Sequence, residues 1–277
     1  MVKRKRKRYS GALVAWIAVG VVVAVVLTVV LVKEVSSSST TTFPNNFPKT
    51  SSAVFHDVTH VSEAALNQVA INSGGISVAP VTTLSGPSFK IDGLPGVFYY
   101  GANYCPYCAA TRWGLIVALS RLGTLNQLYN MWSSPTDQAG PNVPTFTLEH
   151  TTYTSKYLGF QGFEVLDRHG NPNMTLPSNL QGYVNAYNAQ QSFPFIDFNN
   201  KVQLNTSSFD PQILVGIKTQ AAIAKNLNDP TNPVTQVILA SANYLTAGLC
   251  SIAKDPPTSV CGAPGVQAAA SAAGIKL

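Results

Sequence analysis

Cys105 and Cys108 stand two residues apart in "GANYCPYCAAT", Gly101 to Thr111, in a chain that holds four cysteines. Thiols at that spacing can form a disulfide that opens again, hold half of a metal site, or make a fixed cross-link. The first use needs a thiolate, the nucleophile of thiol–disulfide exchange, and a second sulfur in reach to resolve the mixed disulfide. The apolar run "GVFYYGA" before the pair reads as a strand buried on both faces. The segment "CAATRWGLIVALSRLG" reads as a largely buried helix, apolar through Trp113, Leu115, Ile116, Val117, Leu119 and Leu122, with Gly123 as its C′ residue. The pair therefore falls at a strand-to-helix junction. Unpaired N–H groups and roughly half a positive charge at a helix start favour a thiolate there. Cys105 is the expected attacking sulfur, and Cys108, one turn on, the resolving one. Pro106 costs the first turn nothing, because its missing N–H would have had no partner. Tyr107 brings no imidazole to stabilise the thiolate further.

A zinc site would need a second close cysteine pair or two histidines. Cys250 and Cys261 instead bracket the loop "SIAKDPPTSV", and neither has a neighbouring histidine. His56 and His60 fall between a linker and the first helix and read as surface residues; His150 and His169 are isolated. No Met or His cluster favours copper, so no metal and no cofactor is expected. In an oxidising compartment Cys250 and Cys261 form a structural disulfide that closes a short loop and tethers the C-terminal helix. A second redox relay at that pair, and a purely structural bridge between Cys105 and Cys108, stay open as alternatives.

The compartment is read from the N-terminus. Lys3 to Arg8 is an unbroken basic run, and the remaining twelve Lys/Arg balance twelve Asp/Glu. With no second basic stripe, nucleic acid is not an expected partner. "GALVAWIAVGVVVAVVLTVVLV", Gly11 to Val32, carries no charge and is long enough to span a hydrocarbon core of about 30 Å. It exceeds the apolar region of a secretory signal, and a leader cut near Ser10–Gly11 would still leave the helix attached. The expected order is a cytoplasmic basic tail at 1–10, a transmembrane helix at 11–32, a Ser/Thr-rich stalk at 33–53 and an extracytoplasmic domain at 54–277. Asn173 and Asn205 open glycosylation sequons, which suits export. Residues 36–277 hold 22 charged side chains in 242 positions, against about a quarter in ordinary domains. A surface so poor in carboxylates loses little in acid, which implies an acidic exterior.

Within the outer domain Ser62 caps a short helix that Gly74–Gly75 should stop. "ISVAPVTTL" and "SFKIDGLPGVFYYGAN" read as strands with a turn at Asp92–Gly93, and "VPTFTLEHTTYTS" as another strand. Residues 155–190 give no clear assignment. "FPFIDF" and "KVQL" read as strands joined at Asn199–Asn200. "PQILVGIKTQAAIAKNL" and "PVTQVILASANYLTAGLC" read as two helices.

Strand, CPYC, buried helix and a later "FP" opening a strand hairpin together resemble the thioredoxin superfamily. CPYC matches the glutaredoxins, while the exported setting is closer to the DsbA-like oxidoreductases. More specifically, "GVFYYGANYCPYCAATRWGLIVALSRLGTL", "SSPTD", "VPTFTL" and "FPFIDFNNKV" resemble the archaeal DUF929 family, membrane-anchored thioredoxin-like proteins of unassigned function. The resemblance covers most of residues 54–262. It implies an α/β, thioredoxin-like fold with an insertion at about 124–190. It also implies a cis proline facing the cysteine pair, either Pro194 after Phe193 or its rival Pro144 after Val143. Phe193, Pro194 and Tyr107 would then seat a substrate chain by strand-like hydrogen bonding. No WCGPC-type motif is present, so reductase behaviour does not carry over. The implied activity is thiol–disulfide exchange with exported protein thiols and disulfides, coupled to a DsbB- or VKOR-like membrane partner. The alternatives are a non-catalytic module of the same fold and a metal carrier.

Overall fold

Two serines start the first two helices of the computed structural model, which describes residues 47–277. Ser51 Oγ accepts from Val54 N ahead of α1 (Ser52–Thr59), and Ser62 Oγ accepts from Ala65 N ahead of α2 (Glu63–Val69). α2 begins where its cap predicts but ends at Val69, with Ala70 at positive φ, before Gly74–Gly75 is reached. α1 corrects the stalk boundary. Asn130 N donates to Pro48 O and Thr50 N to Leu128 O, each at 2.9 Å, so the folded domain takes in residues from Pro48 onward. The basic tail, the apolar segment 11–32 and the stalk as far as residue 46 lie outside the described residues. Among the described residues no helix is long and apolar enough to cross a membrane.

Short strands β1 (Thr82–Thr83) and β2 (Lys90–Ile91) lead through the Asp92–Gly93 turn into β3 (Leu94–Ala102), buried from Gly96 onward. β3 feeds α3 (Pro106–Leu122). Between α3 and the next long strand come four short ones, β4 (Thr124–Leu125), β5 (Tyr129–Trp132), β6 (Pro144–Thr147) and β7 (Tyr153–Thr154). They pair with one another, β4 with β7 and β5 with β6, and Tyr129 of β5 also bridges to Lys49. β8 (Gly159–Leu166), α4 (Ser178–Tyr187), the hairpin β9 (Phe195–Phe198) and β10 (Val202–Leu204), then α5 (Gln220–Ala224), α6 (Pro233–Ile252), α7 (Thr258–Cys261) and α8 (Pro264–Ala273) complete the chain.

The main sheet runs β1-β10-β9-β3, antiparallel throughout, and β8 lies on the far side of β3, parallel to it. The fold is therefore α/β, with β3 central. Its side chains alternate between two cores. Val97 and Tyr99 face the layer of α3 and α6, while Phe98 and Tyr100 face α4 together with Phe89, Phe163 and Phe195. The stretch 124–190, expected as one insertion, is divided. Residues up to 158 leave the sheet, whereas β8 and α4 complete its edge and its second face.

α3 is apolar all round because it is enclosed all round. The sheet, α6, α1 and β6 surround it, and the Trp113 indole donates to Pro144 O at 2.9 Å. Leu115, Ile116 and Leu119 are fully buried, so truncating any one to alanine costs about 2–5 kcal/mol. α3 ends at Gly123, which is extended rather than the left-handed C′ residue expected. A glycine is needed there for space, since a Cβ would lie 2.5 Å from Thr154 O.

The segment expected as a helix over Pro211–Leu227 is broken. Asp210 caps a single 3-10 turn, Pro211–Leu214, Gly216 takes positive φ, and Thr219 starts α5 afresh. The Asn199–Asn200 turn forms as read, both residues at positive φ. Beneath it, in β9, lies fully buried Asp197, whose Oδ1 accepts from Asn200 N at 2.6 Å. Its Oδ2 has no partner among the described residues, nor do Gln203 Oε1, on the cross-strand neighbour, and Asn200 Oδ1. Burial pushes the Asp197 carboxyl up to about 7.

Candidate functional site

β3 delivers the cysteine pair. Asn103 N, just past its end, donates to Leu166 O at 2.9 Å, and the Asn103 amide bonds the Glu149 carboxylate, fixing the chain as it turns into α3. Cys105 is the N-cap. Its Sγ accepts from Cys108 N at 3.2 Å, its carbonyl takes Ala109 N at 3.0 Å, and Pro106 occupies the first turn. Both cysteines are free thiols; Cys105 is 5% exposed and Cys108 fully buried. Tyr107 between them is 42% exposed.

The two sulfurs are made unlike by their surroundings. The hydrogen bond with the Cys108 thiol pulls the Cys105 thiol down most; burial opposes this, and the Cys108 N–H and the Arg112 charge assist it. Burial pushes Cys108 well up, and the neighbouring Cys105 adds to the rise. Cys105 is thus the sulfur that ionises first, and Cys108 holds its proton until a partner sulfur is present.

Three elements converge on the helix start. The Phe193 ring packs edge-on against Tyr104 at 6.4 Å and tilted against Tyr100 at 5.0 Å. The Phe193–Pro194 peptide bond is cis, and Val143–Pro144 is not, which decides between the two prolines. Ser208 N donates to Thr111 Oγ1 at 3.0 Å and Ser207 Oγ to Tyr107 O at 3.3 Å, laying the strand exit against the first turn. From the segment between β5 and β6, Ser134 N donates to Tyr104 O at 2.8 Å. Beside Tyr104 a cavity of about 370 Å³ opens between Ser134–Thr136 and Arg168–Gly170.

Beneath the pair lies a charged cluster that the sequence reading missed. Arg112, on α3 one turn beyond Cys108, is fully buried and grips Glu164 of β8 at both oxygens, 2.8 and 2.9 Å. Its Nη2 also donates to Ala102 O at 2.7 Å, and the guanidinium lies 5.9 Å over the Tyr99 ring. Burial works against the Arg112 charge, but Glu164, Tyr99 and Cys108 together outweigh it and hold the group charged; burial raises Glu164, with Arg112 opposing. The signal was present: an arginine inside a helix apolar on every side requires a buried counter-charge.

Other candidates sit elsewhere. Cys250 and Cys261 are joined by a disulfide that ties the end of α6 to α7. Asn173 is exposed, but its Nδ2 is held by Glu149 Oε1 at 2.6 Å and Glu164 O at 3.0 Å, whereas exposed Asn205 makes only longer contacts. His56 and His60 lie on and just beyond α1, where their rings stack at 4.5 Å. Among the described residues no group of three or more His, Cys, Asp or Glu side chains is placed to hold a metal ion.

A family model described as "Domain of unknown function (DUF929)" matches residues 81–251. No curated protein and no solved structure matches it.

Proposed function

The chain belongs to the DUF929 family, a domain of unknown function, and from that premise we propose that it is a membrane-anchored thiol–disulfide oxidoreductase. One observation carries the reading: Cys105 caps the N-terminus of a buried helix with its thiol pulled down, and Cys108 is within hydrogen-bonding reach. Cys105 attacks a substrate disulfide, and Cys108 resolves the mixed disulfide. The strand order β10-β9-β3-β8, with β8 parallel to β3 and the pair at the start of the helix after β3, supports a thioredoxin-like fold. Phe193 beside Tyr104, and exposed Tyr107, supply the surface for an extended substrate chain.

In this reading Gly11–Val32 anchors the protein, Lys3–Arg8 stays cytoplasmic, and the domain works outside the membrane on exported protein thiols and disulfides. Electrons pass to or from a membrane partner of the DsbB or VKOR kind. Replacing Cys105 with serine abolishes insulin disulfide reduction and refolding of a scrambled substrate. Undiminished activity in that variant would end the enzymatic reading. The low exposure of Cys105 favours a second one, a non-catalytic envelope module in which the pair is a fixed element and Cys105→Ser costs stability but no activity.

A further inference from the structure

Two buried donors beside Cys108 have no acceptor. The Tyr99 hydroxyl and Arg112 Nη1 are enclosed in the core and unpartnered among the described residues. Tyr99 lies on the same face of β3 as α3, and its hydroxyl reaches toward the helix start only because residue 101 is glycine. A Cβ there would stand 2.1 Å from that oxygen. Arg112 lies over the same ring, four residues beyond Cys108 on one helix face. Burial pushes the Tyr99 phenol well above its ordinary range; Arg112 opposes this, and the nearby Cys108 and Glu164 add to the rise.

A neutral thiol is a poor acceptor, so two empty donors beside it are a standing cost. A thiolate at Cys108 would satisfy both. We propose that Tyr99 and Arg112 form a donor pocket that takes up the negative charge on the Cys108 sulfur while the mixed disulfide resolves. The inference rests on the exchange reaction proposed above.

The step balances within the dithiol and its substrate. The Cys108 sulfur attacks Cys105 of the mixed disulfide, the Cys105–Cys108 bond forms, and the bond from Cys105 to the substrate sulfur breaks. The substrate sulfur leaves with the electron pair and ends with the proton that Cys108 gave up. Two electrons pass from the dithiol to the substrate disulfide. In the reverse direction Cys108 is the leaving sulfur, and the same two donors receive its charge. The pocket matches a charge present only during exchange, so it favours the transition state over the resting thiol.

The test is Tyr99→Phe in the full chain, mixed rapidly with dithionitrobenzoate. The reduced protein should release one coloured thiol as Cys105 attacks and a second as Cys108 resolves. The variant is expected to keep the first phase, slow the second about tenfold, the worth of one hydrogen bond to a charged group, and move its pH profile upward. Its thermal stability should not fall, because the lost hydroxyl had no partner. The double variant Arg112→Met/Glu164→Leu, which removes both charges together, should slow the second phase as well. An unchanged second phase in Tyr99→Phe, or equal slowing of both phases, overturns the pocket. No release of coloured thiol from the wild type overturns the exchange reading instead.

Discussion

Replacing Asp197 with asparagine removes a single buried charge and tests how far burial governs this fold. The carboxyl is fully enclosed, accepts one backbone N–H and faces no cation among the described residues, and its value of about 7 compares with 3.8 for an ordinary aspartate. Below about pH 4 it is protonated in both folded and unfolded chains and contributes no pH dependence. Between about 4 and 7 the unfolded chain ionises while the folded one resists, so stability falls as pH rises. Above 7 both are charged and the loss is complete. A gap of about three units, at about 1.4 kcal/mol each, gives roughly 4 kcal/mol. Urea or thermal unfolding followed by circular dichroism from pH 4 to pH 8 reads it directly. Wild type and Asp197→Asn should agree near pH 4 and diverge above it, the variant melting on the order of 10 °C higher at pH 8. Parallel stability curves across that range would refute the reasoning. The expected wild-type slope is toward better tolerance of acid.

Removing the Cys250–Cys261 bridge by a double serine substitution should cost about 2–4 kcal/mol in denaturant titrations and leave thiol exchange at Cys105 intact. Arg112→Met alone strands Glu164 in the core and should cost about 3–5 kcal/mol, most of it recovered when Glu164→Leu is added. Melting curves of the single and double variants check this.

The elements read correctly in the sequence are those in which one signal dominates. β3 and α3 are long apolar runs, and Asn199–Asn200 supplies two residues that tolerate positive φ. β8 was missed although it is the parallel neighbour of β3. "GFQGFEVL" carries two glycines, a glutamine and a glutamate, so neither alternation nor an apolar run appears. Its polar members are explained only by three-dimensional partners. Glu164 answers Arg112, and Gly162 makes room for Leu148, whose side chain would lie 2.7 Å from a Cβ. The helix expected over Pro211–Leu227 failed because local caps at Asp210 and Thr219 divide it.

The site shows the same division. Cys105 and Cys108 follow from their motif and Phe193 from the family resemblance, whereas Tyr99 and Glu164 reach the pair only through sheet register. Tyr99 pairs with Gly162 and Gly101 with Glu164, two residues further along the same two strands. Nothing in the spacing of residues 99, 112 and 164 announces that they meet.

The asymmetry of the two sulfurs is the claim on which the proposed chemistry stands. It is read most directly by timed iodoacetamide labelling of the reduced protein across pH, with the modified residue located by mass spectrometry. Cys105 should label with a midpoint below that of an ordinary thiol, and Cys108 should stay unmodified until the chain unfolds. Equal labelling of both sulfurs, or a Cys105 that reacts only above the ordinary thiol range, would contradict it.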